Sequence, residues 1–176
     1  MALDPKQYQV VVIDIQTKLA GAMPDAALAG TVHATDNICF AARELGVPLV
    51  FTEQYPQGLG NTVPQLGATD PFVKLAFAAT DEPGFDARLS PDRTVVLCGM
   101  EAHICVLHTG LGLLARGIPV VVVPDAVCSR REGDWRHGIE LLRKEGATVM
   151  PSESLLFGWL GRAEGPLFKA ISRRIR

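Results

Sequence analysis

Residues 94–115 read TVVLCGMEAHICVLHTGLGLLA, and their order of residue types sets the expected architecture. Thr94 to Leu97 is a short apolar, β-branched run, the pattern of a buried strand. Gly99 breaks it, and a brief polar link, Glu101-Ala102-His103, follows. Cys105 then opens an apolar segment of helical length. A strand, a glycine turn and a helix in succession form half of a βαβ unit. The unsatisfied N–H groups of a helix's first turn favour negative charge, so a cysteine there is expected to have a lowered pKa. Cys105 is therefore a candidate nucleophile.

The same grammar recurs on either side. The helical pattern Thr31–Leu45 stops at Gly46 before the strand-like VPLVFT. LLARG stops at Gly117 before IPVVVV, and LLRKEG stops at Gly146 before ATVM. A glycine just past a helix takes the left-handed conformation at low cost, so each marks a helix-to-strand joint. Tyr8 to Ile15 (YQVVVIDI) is apolar throughout rather than alternating, as in a central strand covered on both faces. Further strands are expected at Val120–Val123, ending at Pro124-Asp125, and at Thr148–Met150. Thr17 to Leu28 reads as a loop, and Arg131 to Lys144 as an amphipathic surface helix. Between Glu53 and Arg93 lies a Gly- and Pro-rich stretch too long for an ordinary connection, interrupted by the apolar run FVKLAF at 72–77. A terminal helical region begins at Ser152 or Glu153 and is expected to break at Gly158, Gly161 and Gly165-Pro166. Its cluster Leu155, Leu156, Phe157, Trp159 and Leu160 could dock on its own sheet or on another subunit. Alternating β and α units predict a single α/β domain over residues 1–176, a three-layer sandwich around a mostly parallel six-stranded sheet.

Composition narrows the function classes. The 176 residues carry 48% hydrophobic and 20% charged side chains, with a net charge of −2. The only basic run, at 173–176, is too short to argue for nucleic-acid binding. No apolar run reaches the roughly 20 residues of a membrane helix. The first residues, MALDPKQYQ, lack a signal or transit pattern, so a cytoplasmic location is expected. Cys39, Cys98, Cys105 and Cys128 show no CxxC spacing and sit in apolar settings, which favours reduced thiols over a disulfide set or zinc site.

Three residues could act together. Asp14 and Cys105 each follow a predicted parallel strand, and ligands bind at the carboxyl ends of such strands. Lys74 sits inside an apolar run and must either reach water or find an anionic partner. An Asp–Lys pair beside a cysteine would supply a base and a charge partner for a nucleophile. Each also has a plainer reading: Asp14 as a loop cap, Lys74 as a snorkelling side chain, Cys105 as core packing.

The motifs VVIDIQTKL, GVPLVFTEQYPQGLGNTVPQL, FVKLAF, VVLCGMEAHICVLHTGLGLL and VPDAVCSRR resemble the isochorismatase-like cysteine hydrolases, from VVIDIQ to about Leu156. Within them the chain is most similar to the isochorismatase-domain-containing group. The resemblance implies a Rossmann-like sheet of order 3-2-1-4-5-6 and an Asp–Lys–Cys triad at Asp14, Lys74 and Cys105. It also implies a cis peptide between Met100 and Glu101, and an oxyanion hole built from the backbone N–H groups of Glu101 and Cys105. A homo-oligomer, dimer or tetramer, is implied as well, with a small-molecule substrate and no nucleic-acid or membrane partner. The implied activity is hydrolysis of a small amide-type C–N bond through a thioester.

Two departures from family patterns matter. Nicotinamidases carry Asp and His metal ligands after the second strand, where this chain has Glu53 and Tyr55 in FTEQYP. No metal and no cofactor are therefore expected. True isochorismatases cleave a vinyl ether and lack the cysteine, so Cys105 argues against that reaction. Vinyl-ether hydrolysis and a non-catalytic interaction protein are the alternatives. Gln16, Tyr55 and Phe77 are candidate substrate contacts, although Gln16 and Glu101 could equally bond local backbone, and Phe77 reads as core more readily than wall. Cys128 and Arg130 could reach the site mouth or a subunit interface. His103 reads as structural or supporting.

Overall fold

Successive residues of the central strands go to opposite helix layers, which is what an apolar run without alternation requires. The computed structural model describes residues 3–175. In chain order the elements are β1 (Tyr8–Ile13), α1 (Thr17–Ala20), α2 (Asp25–Leu45), β2 (Leu49–Gln54), α3 (Pro56–Leu59) and β3 (Phe72–Lys74). There follow β4 (Thr94–Met100), α4 (Leu107–Ala115), β5 (Val120–Cys128), α5 (Glu132–Lys144), β6 (Thr148–Val149), α6 (Ser152–Leu160) and α7 (Gly165–Arg174). The six strands form one sheet of order β3-β2-β1-β4-β5-β6, and every pairing is parallel. Val10, Val12, Val96 and Cys98 face a core completed by α2, α6 and α7. Val11, Ile13, Val95 and Leu97 face the opposite core, under α4 and α5.

The three glycine joints all have positive φ, with Gly46 at 69°, Gly117 at 74° and Gly146 at 108°. Elsewhere several boundaries moved. Residues 17–28 contain a helical turn and the start of α2, which begins at Asp25 behind Pro24 rather than at Thr31. Its first turns are largely solvent-facing and alanine-rich, so helix propensity, not apolar periodicity, carries them. β5 runs on to Cys128 instead of ending at Val123. Its register jumps from Leu97↔Val122 to Gly99↔Val127, so residues 123–126 bulge from the ladder. Pro124 lacks the N–H a continuous ladder needs. The bulge presents Asp125, whose carboxylate accepts from the Ser152 backbone N–H (2.9 Å) and from its hydroxyl, tying β5 to the start of α6. Gly158 does not break α6; Leu3 packs where a Cβ would stand, 2.7 Å away. Leu155, Leu156 and Trp159 dock in their own chain's core, while Phe157 and Leu160 are half-buried.

Two contacts bring the site together. Gly99 has φ 124°, and a Cβ there would lie 2.0 Å from the Ile13 carbonyl oxygen, so β4 presses on β1 where both strands end. Gly138 of α5 lies against the link after β4, where a Cβ would come within 2.7 Å of the Ala102 oxygen.

Candidate active site

The first residue beyond β1 is Asp14. It is fully buried and adopts φ 49°, a left-handed conformation that aspartate tolerates better than most residues. Thr52, at the end of the neighbouring strand, holds it at two points. The Asp14 N–H donates to the Thr52 carbonyl (3.2 Å), and the Thr52 hydroxyl donates to Asp14 Oδ1 (2.6 Å). The other oxygen, Oδ2, meets Lys74 Nζ at 2.7 Å.

Lys74 is the last residue of β3 and is 1% exposed. An ammonium has three N–H donors. Here they go to the carbonyls of Ala76 (3.1 Å) and Phe77 (3.2 Å) and to Gln54 Oε1 (3.4 Å). The Asp14 contact, in which Oδ2 faces that ammonium at 2.7 Å, is shorter than any of these and is the ammonium's strongest interaction.

Cys105 lies at the start of the next helix. The polar link expected after Gly99 is a wide π turn spanning Ala102–Val106, in which the Val106 N–H reaches back to the Glu101 carbonyl at 3.2 Å. π turns recur at functional sites because they displace one side chain from the helical pattern. The helix therefore opens at Ala102, and Cys105 is its fourth residue. The Met100–Glu101 peptide bond is cis. The thiol donates to Gln54 Oε1 at 3.0 Å.

The expected low pKa is corrected here. Burial pushes the Cys105 thiol up to about 12; the Asp14 charge adds to the rise, and Lys74 opposes it. Desolvation of a thiolate in this pocket is the leading cause of the rise. Cys105 rests as a neutral thiol in the field of the Asp14–Lys74 pair.

The remaining candidates fall into place less uniformly. Gln16 is fully buried, and its amide is spent on backbone. Nε2 donates to the carbonyls of Gln54 (3.0 Å) and Gly60 (2.6 Å), while Oε1 accepts from the Gln54 N–H (2.8 Å). Its side chain braces the backbone of Gln54 and Gly60. Glu101 turns its carboxylate to Arg130, accepting from its N–H (2.9 Å) and Nε (3.1 Å), so its side chain is committed to holding the segment after β5. Tyr55 and Phe77 are 53% and 59% exposed, so Phe77 is not core. Together with Leu75 they make an apolar rim on the segments flanking Lys74. Glu53 spends its carboxylate on Thr62 (2.6 and 2.9 Å) and Asn61 (3.1 Å), closing the loop after β2. His103 contacts Ser129 Oγ at 2.9 Å, and Cys128 is buried. No group of acidic, His or Cys side chains suited to a metal occurs among the described residues. A surface cavity of about 740 Å³ lies near the amino ends of β4 and β5, and Asp14, Lys74 and Cys105 are not in its lining.

Sequence reasoning missed Thr52 and Gln54. Both lie on β2, two residues apart and hence on one side of the strand, and Thr52 is in register with Ile13, just before Asp14. That spacing was the available signal.

Sheet order, covered faces and strand-end site together define an isochorismatase-like α/β fold. The chain belongs to the isochorismatase family, whose domain matches residues 8–154. It is 44% identical over 138 residues to isochorismatase domain-containing protein 2 of Bos taurus, covering 77% of this chain and 68% of that protein. Among solved structures, a MAR1 ribonuclease from Caenorhabditis elegans is similar at 34% identity and a TM-score of 0.89, covering 99% of this chain and 92% of that one. N-carbamoylsarcosine amidase from Thermoplasma acidophilum is similar at 25% identity and a TM-score of 0.71, covering 84% and 97% respectively.

Proposed function

We propose that this isochorismatase-family hydrolase cleaves a small amide-type C–N bond with Cys105 as nucleophile. The observation that carries the reading is the meeting of three groups: the Cys105 thiol and the Lys74 ammonium share one acceptor, Gln54 Oε1, and Lys74 pairs with Asp14 at 2.7 Å. The kinship with an N-carbamoylsarcosine amidase supports the same bond class.

Asp14 Oδ2 takes the thiol proton, while Lys74 keeps the local charge balanced. The thiolate attacks the carbonyl carbon. Developing negative charge on the substrate oxygen is met by the backbone N–H groups of Glu101 and Cys105. Collapse expels the amine, which receives the proton from Asp14, and leaves a thioester. Water then attacks the thioester, with Asp14 as base, and returns the thiol. Activating a thiol with a pKa near 12 requires the base to lie in contact with it, because free thiolate at neutral pH is negligible.

The test is a set of small amides and ureas assayed with wild-type protein and Cys105→Ala, with mass spectrometry of the protein during turnover. Turnover is expected to fall at least about 10³-fold in the variant, and an acyl mass to appear on Cys105 in the wild type. Undiminished turnover in Cys105→Ala would overturn the reading. Vinyl-ether hydrolysis would survive that change but require Asp14. RNA cleavage, prompted by the name of the Caenorhabditis elegans relative, is the rival reading; a net charge of −2 disfavours it, and the same two proteins test it on an RNA substrate.

A further inference from the structure

Gln54 accepts the hydrogen bond of the thiol, and its own position is fixed from behind. Both of its backbone hydrogen-bonding groups are held by the side chain of the buried Gln16, at 2.8 and 3.0 Å. Its carboxamide is oriented by chemistry as well. The oxygen receives Cys105 Sγ at 3.0 Å and Lys74 Nζ at 3.4 Å, and Nε2 points to the Leu75 carbonyl at 3.4 Å. The flipped carboxamide would set N–H donors against an ammonium and an S–H, and both contacts to its oxygen would be lost.

We propose that Gln54 is a positioning residue for the nucleophile, whose side-chain oxygen keeps the resting Cys105 proton off Asp14 until substrate displaces it. This rests on Cys105 being the nucleophile. One S–H can serve one acceptor. While it points at Gln54 Oε1, it is not given to Asp14, whose Oδ2 faces the Lys74 ammonium at 2.7 Å. A carbonyl oxygen also favours the thiol over the thiolate, since a thiolate would face a lone pair. The substrate's own amide carries a carbonyl and an N–H, so it can replace the Gln54 carboxamide near the sulfur. Proton transfer to Asp14 then becomes available when there is something to attack. The Gln16 brace returns Gln54 to its place after release.

The test uses Gln54→Leu and Gln54→Glu in the full chain. Thiolate absorbance in the ultraviolet is followed with pH, each protein being read against its own Cys105→Ala partner. Gln54→Leu is expected to move the Cys105 titration about one pH unit or more toward neutrality, and Gln54→Glu to move it further alkaline. Turnover should fall about tenfold in Gln54→Leu through kcat, because the sulfur is easier to ionise but its side chain is no longer held in place before attack. A Gln54→Leu titration that overlays the wild type would overturn the proposal, as would one that moves alkaline. Should Gln54→Leu fail to fold, an unchanged titration in the near-isosteric Gln54→Glu overturns it equally. Turnover that survives Cys105→Ala would remove the proposed hydrolysis, while the titration would still report on Gln54.

Discussion

Asp14 shows how one residue can be legible in part. A carboxylate at the end of an apolar run announces itself, and a lysine inside FVKLAF demands a partner; the 2.7 Å pair joins them. Thr52 gave no comparable signal, because a threonine in a strand is ordinary and its role depends on which strand lies beside β1. Its hydroxyl hydrogen bond to Oδ1 leaves Oδ2 turned to Lys74. Thr52→Val keeps the shape and removes the donor. A buried carboxylate oxygen then lacks its partner, at a cost of about 1–3 kcal/mol in urea unfolding. Turnover is expected to fall about tenfold through kcat, with KM nearly unchanged, because Asp14 is misaimed while the mouth of the site is untouched. A raised KM with unchanged kcat would instead place Thr52 against the substrate. The pKa of Cys105 was misjudged at this same scale. Position in a helix is visible in a sequence, but the amount of solvent removed from a thiol is set by residues distant in the chain.

At the scale of elements, three helix-glycine-strand joints were enough to expect alternating β and α units, since each glycine takes a backbone conformation few other residues adopt freely. What escaped was local irregularity: the π turn at 102–106, the bulge at 123–126, and the short β3 that ends on Lys74. None has a periodicity of its own; each exists because of what packs against it. The segment after β3 illustrates the consequence. Its carbonyls at Ala76 and Phe77 receive the Lys74 ammonium, and its N–H groups at Leu75 (2.8 Å) and Ala76 (3.0 Å) donate to Glu82. Those N–H groups, Ala76 first and Leu75 second, hold the Glu82 carboxyl below its ordinary value of 4.5. A lowered carboxyl pKa means that the anchoring is complete above the ordinary value and is lost as pH falls through the lower, folded one. The Leu75 and Ala76 amide resonances should therefore shift together with a midpoint below 4.5 in the wild type. In Glu82→Gln that acid step should vanish and kcat/KM should drop about three- to tenfold, because the acceptors of Lys74 are less well fixed. Retention of the acid step in Glu82→Gln would assign it to another group.

For the molecule as a whole, a sheet covered on both faces leaves its four thiols in the interior. Cys39, Cys98, Cys105 and Cys128 are all buried, and desolvation is the leading cause of a raised pKa at each. Cys39 and Cys105 are pushed up to about 12 from an ordinary value of 9.0, and Cys98 well above it. A raised thiol pKa contributes stability that is fully present below the unfolded value and lost as pH climbs toward the folded one. Above pH 9 the unfolded chain has released these protons while the native chain still holds them, so alkali favours unfolding. Each such thiol should add about 1.4 kcal/mol of lost stability per pH unit in that window. Urea unfolding between pH 8 and pH 11 separates this from ordinary packing. Cys39→Ala is expected to be less stable than wild type at pH 8, because it removes buried volume beside Ile38 and Val96. Its stability should nevertheless decline with pH more gently, by about the contribution of one thiol, so the two curves converge as pH rises. Parallel curves would mean that Cys39 titrates in the native state, and that the interior beneath α2 admits enough water to solvate a thiolate.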